Sequence, residues 1–186
     1  MYYCGLIPLA SMNSLKIITK AFYEICLLKR QPQDIPGSVV FFAMCTAAYT
    51  LSSFILTLAY QDFQKSVTVA FIDAGLTILI TYLLLLAIRK PERNLQTCTA
   101  LLGTGTIFSL LATPVYYLLA VPAVGQSGNP ILSFLVWVLI VWNIAVMAHI
   151  LRHALTVSFP MGVLIALMYI FIVSIAIINI APEQPI

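Results

Sequence analysis

Charge is scarce in this sequence. Only 8% of its 186 residues are Asp, Glu, Lys or Arg, against 62% hydrophobic. A soluble domain carries about 25% charged and about 45–50% apolar residues, so a soluble globular domain is excluded. Disorder, which needs low hydrophobicity and high charge, is excluded with it. No stretch gathers more than three basic residues, so nothing could hold the phosphates of a duplex, and nucleic acid is not an expected partner. The four cysteines, Cys4, Cys26, Cys45 and Cys98, form no CxxC pair and no metal-ligand spacing, and read as inert thiols. Gly-rich phosphate loops, nucleophile elbows and HExxH are missing, so no catalytic residue, cofactor or metal is expected and the chain does not read as an enzyme.

What is present is apolar sequence in long runs, with a mean hydropathy of +1.05. A spanning helix needs about 20 mostly apolar residues, and five segments qualify: 37–60, 67–88, 98–121, 130–151 and 160–180. The expectation is an all-α bundle of five transmembrane helices over 37–180, with short connections and a short external tail at 181–186. Orientation follows from the basic flanks. With the N-terminus inside, Lys16, Lys20, Lys29, Arg30, Arg89, Lys90, Arg93 and Arg152 share the cytoplasmic side, and Lys65 faces the other. The arrangement is N-in and C-out.

A separate element precedes the first span. Over 14–31, Leu15, Ile18, Ala21, Phe22, Ile25 and Leu28 recur at helical spacing, while Lys16, Lys20 and Glu24 share another face. Asn13 or Ser14 can cap its start, and Pro32 and Pro36 stop it. This is an amphipathic cytoplasmic helix, read first as lying in the inner interface with Lys16, Lys20, Lys29 and Arg30 toward lipid headgroups. The alternative packs it under the bundle floor. Residues 1–13 read as a disordered or mis-called extension, with Met12 a possible true start.

The spans carry stripes of small and hydroxyl residues: Thr46, Thr50, Ser53 and Thr57; Ser66, Ala70, Asp73, Thr77 and Thr81; and Thr99, Gly103, Thr106, Ser109 and Thr113. Bilayer bundles are held by such seams and by interhelical hydrogen bonds. Asp73 is the most informative residue. An acid at a helix centre costs about 2.5–3.5 kcal/mol to insert, against roughly −4 to −8 kcal/mol from the thirteen Val, Ile, Leu and Phe of the same span. It should therefore face protein. A rise of 1.5 Å per residue puts it about 9 Å below the outer boundary, near the level of Ser53, Thr113 and Ser174, with no Lys, Arg or His at that depth. Asp73, Thr77, Ser53, Thr113 and, about 10 Å deeper, Asn143 form the candidate polar site, either as structural hydrogen bonders or as part of an ion pathway. His149 and His153 have the i, i+4 spacing of metal ligands but no third ligand is evident. The Gly103-Thr104-Gly105 pair reads as a packing feature.

Several stretches together resemble a known family. Lys29-Arg30-Gln31-Pro32-Gln33-Asp34-Ile35-Pro36-Gly37 stands before span 1, Arg89-Lys90-Pro91-Glu92 leads into a small-residue third span with Thr113-Pro114, and Leu151-Arg152-His153-Ala154-Leu155 follows the Trp-containing fourth. This layout resembles the Yip-type (Rab-interacting) five-span membrane family, in a compact bacterial-like form. The family's Asp-Leu-Tyr-Gly-Pro motif is reduced to Asp34-Ile35-Pro36-Gly37. The longer cytoplasmic region associated with small GTPases is missing, so small-GTPase binding is not expected. The resemblance implies a non-enzymatic membrane protein that organises membrane or assists a partner complex, meeting the lipid bilayer and another membrane protein or itself. The alternative is a small transporter or ion-coupled subunit using Asp73.

Overall fold

The computed structural model of the chain describes residues 20–35, 37–121 and 129–180. The extension 1–13, Lys16 and the proposed start of the first helix lie outside these residues, as do Pro36, most of the 122–129 connection and the 181–186 tail. Among the described residues the fold is all-helical: α1 (20–26), α2 (Val39–Thr57), α3 (Phe63–Ala87), α4 (Asn94–Ala120), α5 (Pro130–Leu155) and α6 (Phe159–Ile180). Five of these helices are long and apolar enough to cross a membrane. Their ends differ from the expected spans by a few residues, because α3 starts in the Gln61–Ser66 turn and α4 and α5 run into their basic flanks.

Local chemistry sets the starts. The Ser38 Oγ accepts from the Phe41 N–H at 3.4 Å, and Asn129 Oδ1 accepts from the Ile131 N–H at 3.1 Å with Pro130 in the first helical position. The stops are less ordinary. Helices α1, α3 and α5 all end in a left-handed residue, and none is glycine: Leu28 (φ 61), Arg89 (φ 59) and Thr156 (φ 58). A side chain there costs roughly 1–2 kcal/mol. At each stop, backbone hydrogen bonds close the preceding turn: Lys29 N to Glu24 O, Lys90 N to Leu85 O, and Val157 N to Arg152 O.

Helices α2 and α4 pack most extensively, followed by α5 with α6 and α2 with α3. Burial is uneven along them. Residues 97–104 of α4 and most of 146–155 of α5 are buried, whereas α4 beyond Phe108 is half-buried to exposed and the far half of α5 is mostly exposed, with Ile131, Phe134 and Trp137 all above 60%. The core therefore sits at the end bearing Arg89, Lys90, Arg93 and Arg152, here called the basic end. Gly162 and Ala166 of α6 allow its close approach to α5; a Cβ on Gly162 would stand 2.7 Å from the Ala148 carbonyl oxygen.

Helix α1 does not present its apolar face outward. Ala21, Phe22, Ile25 and Cys26 are buried, Ile25 completely. The Phe22 ring lies 5.9 Å from that of Phe41 on α2 and fills the notch at Gly103 on α4. On α5, Trp142 Nε1 donates to the Cys26 carbonyl at 2.9 Å, and His149 Nε2 meets the Arg30 carbonyl at 3.1 Å. The apolar face of these residues thus packs on the bundle, and α1 is a wedge between α2, α4 and α5. A bundle floor with an open notch at Gly103 and an unpartnered Trp142 N–H favours filling from the same chain.

Candidate functional site

Asp73 is the centre of the polar constellation. Tyr49 Oη donates to its Oδ2 at 2.7 Å, and Ser53 Oγ lies 3.5 Å from the same oxygen. Tyr49 and Ser53 are four residues apart, so one face of α2 supplies both groups. The tyrosine bond is short and the serine contact marginal, so Tyr49 carries the clasp. Gly105 makes room for it: a Cβ there would come within 2.5 Å of the Tyr49 ring. Gly103 and Gly105 therefore seat two aromatic rings on α4, Phe22 and Tyr49.

One helical turn toward the basic end, Thr77 is buried near the hydroxyls of both Tyr49 and Tyr169. These groups border a cavity of about 50 Å³ whose lining includes Tyr49, Thr77, Thr104, Asn143 and Tyr169. All five long helices contribute to it. At about 15 Å³ per water it has room for about three waters. Tyr169 is 5% exposed, and its Oη has no completed hydrogen bond among the described residues. A buried hydroxyl left so costs about 1–3 kcal/mol, which water in this cavity would relieve.

The expected site residues separate into two groups. Ser53 and Asp73 share the clasp, and Thr77 and Asn143 share the cavity below it. Thr113 does not join them, since its hydroxyl donates to the Ser109 carbonyl of its own helix at 2.7 Å. The same holds for most of the hydroxyl stripes: Thr46, Thr50, Thr57, Thr81, Thr99 and Thr106 bond carbonyls three or four residues back, as does Thr104 between the two glycines. The stripes bury small side chains at the seams more than they bond across them. The sequence reading missed Tyr49 and Tyr169. Both carry a signal at helical spacing, Tyr49 one turn before Ser53 and Tyr169 in the Gly162, Ala166, Tyr169, Val173 face of α6.

At the basic end, Lys20 and Lys29 are exposed, with Lys20 Nζ 3.8 Å from Glu24. Arg30 is engaged internally, 3.3 Å from Glu24 and 3.5 Å from Asp34. The His149 and His153 rings lie edge to face with centroids 4.7 Å apart. His149 is buried and bonded to the Arg30 carbonyl, which gives it a structural partner. Among the described residues no group of three His, Cys, Asp or Glu is placed to hold a metal ion. Cys26 is buried, and burial pushes its thiol up from the ordinary 9.0 to about 11. No family model, curated protein or solved structure matches this chain.

Proposed function

We propose that this chain is a non-enzymatic multi-pass membrane protein of Yip-like type that organises membrane or assists assembly of a partner membrane complex. It sits in a bacterial inner membrane with its basic end in the cytoplasm, as the eight-to-one distribution of Lys and Arg favours. The observation that carries the reading is how the intramembrane acid is used. Asp73 is clasped by Tyr49 and Ser53 across the α2–α3 seam, and the cavity beneath has room for waters rather than a solute. A clasp fixes two helices, and a fixed bundle suits a protein that works through its surfaces.

The test is a crosslinking pull-down from native membranes in mild detergent, run on the unaltered chain and on Asp73→Asn. A stoichiometric partner retained by both supports the assembly reading. Isolation of the chain alone or as a homodimer, with loss of phenotype in a normally abundant Asp73→Asn protein, refutes it. That outcome favours the second reading, an ion-coupled membrane subunit or small transporter using Asp73. One observation supports that alternative: a small polar cavity bordered by Tyr169, whose hydroxyl has no hydrogen-bond partner among the described residues, lies a single turn from the acid.

A further inference from the structure

A second, larger pocket of about 510 Å³ opens at the basic end, outside the Asp73 site. Its walls come from three parts of the chain: Gln31 and Gln33 after α1, Arg93 before α4, and Arg152 through Phe159 across the α5–α6 turn. Among the described residues its lining has two guanidinium groups and no carboxylate. Arg30, which does meet acids, is not in the lining.

The chain's own acceptors leave Arg152 incompletely satisfied. Its guanidinium carbon sits 5.4 Å from the centre of the Phe159 ring, and its Nε is buried without a hydrogen-bond partner among the described residues. A buried charged donor without an acceptor is costly, more so than a neutral one. Arg93 makes one long bond, from Nη1 to the Ala154 carbonyl at 3.4 Å, and so keeps donors to spare. Lys90 adds positive charge at the rim, where its Nζ reaches Thr156 Oγ1 at 3.0 Å. The amino end of the 22-residue α6 borders the same space with the positive end of its dipole. The left-handed Thr156 holds the short turn that brings Arg152 and Phe159 together.

We infer that this pocket binds a phosphate-bearing anion, with Arg152 and Arg93 as the forked donors and Phe159 and Val157 as an apolar wall beside it. Guanidinium groups match phosphate oxygens in paired hydrogen bonds and are the less strongly hydrated of the two basic side chains. The apolar wall next to the charge suits a phospholipid headgroup with its glycerol, and a soluble phosphate offers the same chemistry. The lipid source rests on the proposed membrane-contact function; the phosphate chemistry does not.

The test uses the full chain, purified in neutral detergent and stripped of lipid. Phosphatidylglycerol and phosphatidylcholine are titrated in and counted by native mass spectrometry, and inorganic phosphate is followed by its shift of the thermal unfolding midpoint. One phosphatidylglycerol per chain is expected in preference to phosphatidylcholine, with binding weakened ~10-fold or more in Arg152→Gln and in Arg93→Gln. Arg89→Gln removes equal charge from the same end outside the pocket and should leave binding unchanged. If Arg152→Gln fails to fold, the half-buried Arg93 provides the second variant. A midpoint raised by inorganic phosphate in the unaltered chain but not in Arg93→Gln, without lipid preference, keeps the pocket and assigns a soluble anion; the lipid-contact reading then fails on its own. Equal losses in Arg89→Gln and the Arg152 and Arg93 variants, or no response to either probe, overturn the inference.

Discussion

A methyl group at Gly103 should weaken the docking of α1 on the bundle. A Cβ built there overlaps Cε1 and Cζ of Phe22 and stands 3.0 Å from its Cδ1. The ring has nowhere close to go, because Phe22 is 8% exposed and lies against Phe41. Overpacking of this kind costs about 1–3 kcal/mol, offset by about 0.5–1 kcal/mol from replacing glycine inside a helix. A net loss of about 1–2 kcal/mol multiplies the undocked population of α1 by roughly 5- to 30-fold. Docking itself rests on the buried Phe22 and Ile25 side chains, at about 1.5–3 kcal/mol each, and on the Trp142 and His149 bonds, at about 0.5–1.5 kcal/mol each. Gly103→Ala therefore shifts the equilibrium, and Gly103→Leu should abolish docking.

Cys26 reports the change. With Cys4→Ser, Cys45→Ala and Cys98→Ala in the background, maleimide labels Cys26 alone. Docked, its thiol is pushed up to about 11; released, it returns toward 9.0. At about pH 8 the released thiol is about a hundredfold richer in the reactive thiolate. The linkage has a definite sign: burying a neutral thiol contributes stability that is complete below about pH 9 and is lost as pH rises through 11. Labelling should accelerate roughly 5- to 30-fold in Gly103→Ala, follow the lower pH profile in Gly103→Leu, and be restored by adding Phe22→Leu to Gly103→Ala. Unchanged rates and pH profiles in both glycine variants would refute the wedge.

Two further predictions concern the seams. Tyr49→Phe removes the 2.7 Å bond and leaves Asp73 with only the 3.5 Å serine contact; interhelical bonds in membranes average about 0.6 and reach about 1.7 kcal/mol, and this one should lie in the upper half. Thermal unfolding of Tyr49→Phe, Asp73→Asn and the double variant in detergent measures the coupling, and fully additive effects would deny the clasp. Gly162→Ala puts a Cβ 2.7 Å from the Ala148 carbonyl and 3.1 Å from Arg152 Cβ, so α5 and α6 must separate; a loss of about 1–3 kcal/mol is expected, against no change if the helices are not in contact there.

The five long helices were legible because each is an apolar run of sufficient length, a signal that needs no tertiary information. Their ends were less so. Leu28, Arg89 and Thr156 stop helices in the left-handed region without the glycine that marks such stops, and only the assembled turn reveals them. Depth arithmetic placed Asp73 beside Ser53 correctly, since both helices are regular and adjacent. It failed for Thr113 because equal depth says nothing about which way a side chain faces. Tyr49 escaped notice because its bulk reads as lipid-facing until the notch at Gly105 shows where the ring lies. The orientation of α1 was undecidable from periodicity alone, since an apolar stripe fits a bilayer surface and a protein groove equally well.

The uneven burial gives these pieces a common logic. At the basic end α1, α4, α5 and α6 are locked by Phe22 in its notch, by Trp142 and His149 on the Cys26 and Arg30 carbonyls, and by the close approach at Gly162. Toward the other end, α4 beyond Phe108 and α5 before Asn143 turn large apolar side chains outward. In hydrocarbon that exposure carries no hydrophobic penalty, so nothing draws these halves together. Local opening is easiest where buried contacts are fewest, and motion of the bundle is therefore expected at the far end, around a fixed base. The Asp73 clasp joins α2 to α3 alone, while the cavity one turn below touches all five long helices. A change in the clasp would be felt first by α2 and α3 and passed to the others through the Tyr49 ring, which belongs to both the clasp and the cavity wall. That shared ring makes Tyr49, more than the acid it holds, the residue through which the two polar centres are coupled.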